Sequence, residues 1–308
     1  MFPTIRRAVI PAAGLGSRLL PLTKAIPKEM LPVGGKPVIE HTVRELVDSG
    51  ITDITVVVSG GKGLIQEHFR PNPALVEQLR KDGKAAHADE VERVAELARQ
   101  GHITYLDQCG PYGNGTPVLN AARALGDEPV LVLWPDDVFV AEVPRAQQLI
   151  RAYEQTGCPV LALMPMDPTE SGRYGVPIVR EDLGDGQLRI TGLVEKPEPA
   201  AAPSSYAAIG GYVVTPGIID ELREQTRRWY EHRKGEIYLT DAINAYASTR
   251  AVYGQVIKGR WYDTGNPADY LVAQMAFALA HPEYRPVLCG LVAGLDVQDA
   301  AIRTEISV

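Results

Sequence analysis

Cysteine is scarce in this chain: among 308 residues only Cys109, Cys158 and Cys289 carry thiols, far apart and without a Cys-x-x-Cys pair. That spacing excludes a disulfide framework. With no histidine placed to complete a tetrahedral set, it also excludes a structural zinc site. Long apolar runs are missing too. None reaches the roughly 18 residues of a membrane-spanning helix, and Met1 to Arg7 lacks the apolar core of a signal peptide, so a cytoplasmic protein with no membrane partner is expected. Positive charge is in deficit, 31 Lys and Arg against 38 Asp and Glu for a net −7, which argues against a broad basic face for nucleic acid. An anionic ligand must therefore meet locally placed cations.

What is present is an ordinary globular composition, 45% hydrophobic and 22% charged. The apolar run Arg7 to Pro11 breaks into a glycine loop, Ala12 to Arg18. A helix pattern from about Ile39 to Ser49, closed by Gly50, leads to a second strand, Ile54 to Val58; strand, helix, strand implies a right-handed parallel crossover. Residues 71–101, introduced by Pro71 and Pro73 and ended by Gly101, read as one or two inserted amphipathic helices. Strands at 103–105, 129–134 and 160–164 alternate with helices at about 117–125 and 144–155. This alternation predicts an α/β fold with a doubly wound, mostly parallel, Rossmann-like sheet, whose ligands bind beyond the strands' carboxyl ends. Later come short strands at 176–180, 188–194, 207–214 and 251–257, a Pro/Ala-rich link at 197–203, and helices near 216–231, 239–248 and 267–280. A smaller, mixed β portion is expected there.

The glycine loop is not a dinucleotide fingerprint. The third glycine would fall at Leu19, and the second strand ends in Ser59-Gly60 where a ribose-binding acid belongs. No Gly-Lys-Ser/Thr follows Gly14, so the phosphate-loop pattern fails as well. What remains is a turn carrying Arg18, with Lys24 and Lys28 just downstream. It reads either as a phosphate cradle of backbone N–H groups and cations or as a solvated basic loop.

Ala12-Ala13-Gly14-Leu15-Gly16-Ser17-Arg18 followed by Lys24-Ala25-Ile26-Pro27-Lys28-Glu29-Met30-Leu31-Pro32 resembles the signature of sugar-1-phosphate nucleotidyltransferases, closest to bacterial UTP:glucose-1-phosphate uridylyltransferases. The resemblance continues through Gln108 with Gly113-x-Gly115, Pro135-Asp136-Asp137, Tyr174-Gly175, Val194-Glu195-Lys196-Pro197, Gly235-Glu236-Ile237 with Leu239 to Ile243, and Asp263-x-Gly265-Asn266. It spans about residues 6–280. It implies one nucleotidyltransferase domain over 1–284, with a nucleotide-binding half at about 6–160, the helical insertion, a sugar-binding half at 161–284, and a tail, 285–308, of no assigned role. The insertion favours the uridylyltransferase branch, whose helices there help form oligomer contacts, so a homo-oligomer, dimer or tetramer, is expected.

The implied reaction joins UTP to glucose 1-phosphate with release of pyrophosphate; thymidylyl or adenylyl transfer to a sugar 1-phosphate stays open. Two polyanions must meet, so positioning and charge neutralisation are the task. The nucleophile is a phosphate monoester with a second pKa of about 6, so no Ser, Cys or His is needed to activate it. A magnesium ion is expected on hard oxygens, with Asp136 and Asp263 as its ligands and Asp137 behind them. The resemblance assigns Ala13, Gly14, Gly16, Gln108 and Gly113 to the nucleotide and Gln108 to its base. Arg18 and Lys28 face the triphosphate, Gly175 and Glu195 the sugar, and Lys196 the sugar phosphate. Neighbouring strand residues point to opposite faces, so Glu195 and Lys196 reach one ligand only if the chain bends, for which Pro197 is the candidate. Tyr174 is read as packing, Asp241 as a helix cap, and Thr116 and Pro117 as the start of a helix. Three departures point to altered specificity: Gly113-Asn114-Gly115-Thr116-Pro117 for Gly-Leu-Gly-His-Ala, Gly210-Gly211-Tyr212 for Gly-Arg-Tyr with the apparent loss of a cation, and Trp134 for an aliphatic residue. A non-catalytic nucleotide-sugar sensor would lack a phosphate cation or a metal acid; here all are present.

Overall fold

The computed structural model describes residues 2, 4–60, 62–126 and 128–294. In chain order the elements are β1 (Arg7–Ala12), a small hairpin of β2 (Pro32–Val33) and β3 (Lys36–Pro37), α1 (Val38–Asp48), β4 (Asp53–Val58), α2 (Gly63–Phe69), α3 (Pro73–Lys81), α4 (Ala85–Gln100) and β5 (Thr104–Asp107). Then come α5 (Gly115–Leu125), β6 (Val130–Leu133), β7 (Asp137–Val140), α6 (Arg145–Thr156), β8 (Val160–Pro165), β9 (Gly175–Asp182), β10 (Gln187–Glu195) and β11 (Tyr206–Val214). The chain continues through α7 (Pro216–His232), α8 (Leu239–Ala247), β12 (Val252–Val256), β13 (Arg260–Asp263), α9 (Pro267–Ala280) and α10 (Tyr284–Gly294). The expected tail thus begins in a helix, and its residues 295–308 lie outside the described part.

Nine strands form one sheet in the order β5-β4-β1-β6-β11-β8-β12-β10-β9. Alternate residues of the central strands feed two cores on opposite faces. Ala8, Ile10, Ile54, Val56, Leu131 and Leu133 pack with α1, α4 and α6, whereas Val9, Val57, Val130 and Val132 pack with α5, α7 and α8. Period-two alternation buried on both sides is what makes a strand read as a continuous apolar run. Helix boundaries follow local chemistry. Asn72 and Asn266 accept the N–H groups of Leu75 and Asp269 to cap α3 and α9, each followed by proline.

The sheet is less parallel than the α and β alternation predicts. Strands β5, β4, β1 and β6 are parallel, as is the pair β8 and β12, but β11 runs antiparallel between β6 and β8. No crossover helix intervenes between β8 and β11 to return the chain in the same direction. The later strands extend the same sheet rather than building a second one. Outside it stands a ribbon of β7 and β13, antiparallel, pairing Asp137 with Asp263. The sequence pattern marks no strand at 137–140, and β13 is short; each strand completes the other through their pairing. Among the described residues no helix is long and apolar enough to cross a membrane.

Candidate active site

The site opens where β1, β5 and β6 end. Beyond β1 the chain turns at Gly16 (φ +66°), where a Cβ would sit 3.1 Å from the Thr23 methyl, while the Thr23 hydroxyl donates to the Gly16 carbonyl at 2.8 Å. Glycine is required by this fold-back, and Gly16 supports the loop rather than lining the cleft. Among the described residues none of the backbone N–H groups from Ala13 to Arg18 meets a protein acceptor. Such a row of free donors is an anion-binding surface.

The adjoining cleft, of about 200 Å³, is lined by Ala13, Gly14, Lys28, Gln108, Gly113 and Trp134, together with Tyr112, Asn114, Glu236 and Tyr238. A second cleft, of about 330 Å³, gathers Arg18, Arg173, Tyr174, Lys196, Asp263 and Asn266. Asp136 joins the two. Its Oδ2 accepts from Lys28 Nζ at 2.5 Å, and its carbonyl accepts both the N–H (2.7 Å) and the hydroxyl (2.8 Å) of Thr264. Burial raises the Asp136 pKa, but Lys28 outweighs it and holds the carboxylate below its usual range. Burial likewise lowers the Lys28 pKa, and Asp136 and Glu29 return it above the ordinary value.

The two predicted metal acids converge. A Cβ on Gly265 would lie 2.9 Å from Asp136 Oδ2 and 3.0 Å from Asp263 Oδ1, so the missing side chain leaves a cradle between two carboxylates. Asp263 accepts from the Gly265 N–H (2.8 Å) and from Asn266 (3.2 Å), with Arg173 at 3.5 Å. Burial and Asp136 push its pKa up against the Gly265 bond. Among the described residues no cluster of three or more acids, histidines or cysteines stands ready to hold a metal. Two carboxylates suit an ion such as magnesium, which keeps waters and takes its other oxygens from phosphates. Asp137 points away from them: it accepts from the Gly210 N–H at 3.0 Å and from the Trp261 indole, and burial beside Asp136 raises its pKa to about 7.

Several expected roles shift. Lys196 itself makes the bend that was assigned to Pro197: it sits in the left-handed region at φ +47°, a conformation that costs a non-glycine residue on the order of 1 kcal/mol, and its N–H donates to the Tyr174 carbonyl at 3.0 Å. That turn brings Lys196 Nζ to 4.0 Å from Glu195 Oε1, so the neighbours share one side. Glu195 lines neither cleft and stands opposite Gly175, where a Cβ would lie 3.3 Å from Glu195 Oε2. Tyr174 packs edge-on against Trp261. Gly113 lines the cleft, but its bare Cα is demanded by the protein: at φ +136° a Cβ would fall 2.2 Å from the Ile237 carbonyl oxygen.

The departures have structural causes. Asn114 Oδ1 accepts the Leu239 N–H at 2.8 Å and so caps α8, the role expected of Asp241, which lies inside the first turn. Helix α5 begins at Gly115, one residue before the expected Thr116, whose buried hydroxyl donates to the Pro111 carbonyl at 2.6 Å rather than capping the helix. At Gly211 the surroundings leave little room for a side chain: a Cβ there would meet Leu149, Ala162 and the Arg145 Cδ at 3.1–3.2 Å. The fully buried Arg145 pairs with Glu45 at 2.9 Å and donates to the Gly210 carbonyl at 2.9 Å. Trp134 remains a cleft wall, edge-on to Tyr212.

Lys62 belongs to none of the sequence motifs, yet it supports the glycine loop from behind. Its Nζ donates to the carbonyls of Ala12 (2.5 Å) and Gly14 (2.8 Å) and to the buried Glu29 carboxylate (2.8 Å). A lysine between glycines carries no signal for two backbone partners some fifty residues away and a carboxylate 33 residues away.

Residues 7–279 match the model of the nucleotidyl transferase family. The chain belongs to that family. It is 38% identical over 293 residues to the UTP–glucose-1-phosphate uridylyltransferase of Bacillus subtilis strain 168, covering 94% of this chain and 97% of that one. A UTP-bound UGPase from Acinetobacter baumannii superposes with a TM-score of 0.84 at 30% identity, over 95% of this chain and 100% of that one. A UDP-glucose pyrophosphorylase complexed with UDP-glucose superposes at 0.77 and 29% identity, over 90% of this chain and 100% of that one. This nucleotidyltransferase has the family's mixed sheet covered by helices.

Proposed function

We propose that this enzyme is a UTP–glucose-1-phosphate uridylyltransferase, acting through one domain whose nucleotide half lies at about 6–160 and whose sugar half follows to 284. The observation that carries the reading is the row of free N–H groups from Ala13 to Arg18, opening on a cleft that Lys28 and Gln108 line. The uridylyl specificity rests on the kinship with relatives named for that reaction.

A triphosphate seats on the loop amides, with Lys28 and Arg18 neutralising its oxygens. Gln108 offers a donor and an acceptor to the pyrimidine edge. Glu195 accepts sugar hydroxyls and Lys196 holds the sugar phosphate, its ammonium acting as a point charge. A phosphate oxygen of the sugar then attacks the α-phosphorus, the bond to the β-phosphate oxygen breaks, and pyrophosphate leaves with the electron pair. Asp136 and Asp263 would hold a magnesium ion, which when bound supplies charge neutralisation at the reacting phosphates.

Free thiols at Cys109, Cys158 and Cys289 suit a reducing, cytoplasmic setting. The exposed apolar side chains of α9 and α10 support a homo-oligomer. The activity is tested by incubating the protein with magnesium, each nucleoside triphosphate and several sugar 1-phosphates, and measuring pyrophosphate. UTP with glucose 1-phosphate should give the fastest release. Faster release with dTTP or ATP would reassign the donor.

A further inference from the structure

Lys62 and Glu29 form an almost fully buried ion pair directly behind the glycine loop, their side chains 9% and 1% exposed. A lysine ammonium has three N–H donors and no acceptor. Here they are spent on the Ala12 carbonyl, the Gly14 carbonyl and the two oxygens of Glu29, at 2.5–3.0 Å. In a planar trans peptide the C=O and the following N–H point in opposite directions. Drawing the Ala12 and Gly14 carbonyls toward Lys62 therefore turns the N–H groups of Ala13 and Leu15 the other way, and both are among the loop donors with no protein acceptor. Each carbonyl is also removed from the surface where its partial negative charge would repel phosphate. Lys62 enters from the start of α2, so the loop's polarity is set by a different crossover from the one that carries it.

We propose that Lys62 is a positioning residue for the nucleoside triphosphate: it fixes the peptide orientation of the glycine loop through the Ala12 and Gly14 carbonyls, and Glu29 compensates its buried charge. This rests on the assignment of the loop to the triphosphate. Lys62 touches no substrate; it acts through the backbone of residues 12–15. Its removal therefore weakens triphosphate binding and leaves the sugar phosphate side intact.

The test separates this role from plain stability. Lys62→Met leaves Glu29 buried without a partner, so its melting temperature falls; Lys62→Met with Glu29→Gln removes both charges and recovers much of that loss. Calorimetry with UTP and magnesium should nevertheless show affinity weakened about tenfold or more in both variants, with KM for glucose 1-phosphate within about twofold of wild type. Glu29→Gln alone keeps the ammonium on its two carbonyls and should bind UTP within about threefold of wild type. A double variant that regains UTP affinity together with stability would reduce the pair to a structural brace and overturn the proposal. Wild-type protein that fails to bind UTP while binding another triphosphate, or none, would instead overturn the assignment of the loop to UTP.

Discussion

Asp136 shows how much one residue joins at this site. Its backbone is pinned by Thr264, one carboxylate oxygen meets Lys28, and the same oxygen borders the Gly265 cradle shared with Asp263. Asparagine in its place keeps an acceptor for Lys28 but loses the negative charge that a cation requires. Asp136→Asn should therefore lower pyrophosphate release at saturating magnesium by about two to three orders of magnitude, with a melting temperature within a few degrees of wild type. Near-normal turnover would remove Asp136 from the metal site. Asn114 makes a different kind of connection, since its side chain caps a helix 125 positions away. Asn114→Ala should cost about 1 kcal/mol of stability, read as a shift in denaturant midpoint with an unchanged slope.

At the scale of elements, paired amides hold the strand ends that present the ligand-facing residues. Asn120 of α5 both accepts from and donates to the Cys109 backbone (2.9 and 3.0 Å), next to Gln108. Asn244 of α8 does the same to Leu193 (2.7 and 2.9 Å), two residues before Glu195. Glu40 plays the corresponding part between helices. On α1, its buried carboxylate accepts from Arg44 and from His68 of α2, each at 3.1 Å. Burial pushes its pKa up, but these bonds more than offset that and leave it below the ordinary value. A carboxyl depressed in the folded state stabilises above its unfolded pKa, near 4.3, and that stability is lost as pH falls through the folded value. Glu40→Gln should therefore be about 1 to 2 kcal/mol less stable than wild type at pH 7, and the gap should close below about pH 4. A gap independent of pH would mean that packing rather than charge does the work. The contrast explains what was legible in the sequence. Strands such as Ile54 to Val58 and helices such as that at about 144–155 announce themselves by local periodicity, and the acids and cations by motif. The β7–β13 ribbon, the Asn114 cap and the Lys62 pair exist only between segments distant in sequence, so no window of the chain contains them.

For the whole molecule the open question of assembly turns on its carboxyl-terminal helices. In α9 the only charged side chain is Asp269, and a helix apolar on every side is normally covered on every side. Here Ala273 is buried against the β2–β3 hairpin and β7, yet Leu271 is 64% exposed and Val272 57%. On α10, which packs on α9, Val287 is 72% exposed and Leu291 59%. The amino-terminal end of α9 borders the second cleft through its cap Asn266, but none of these four side chains lines either cleft, so a second copy seated on them leaves the cleft-lining residues uncovered. A charge at that surface must pay desolvation on association and little in the single chain, where it stays wet. Light scattering on wild-type protein should accordingly give a mass of at least twice that of one chain, and Val287→Glu with Leu291→Glu should shift it to the mass of one chain. Pyrophosphate release should persist in that variant, since no residue of either cleft comes from α10. A wild-type mass of one chain at the concentrations used for assay would refute the assembly, and a variant that stays assembled would move the interface to another face.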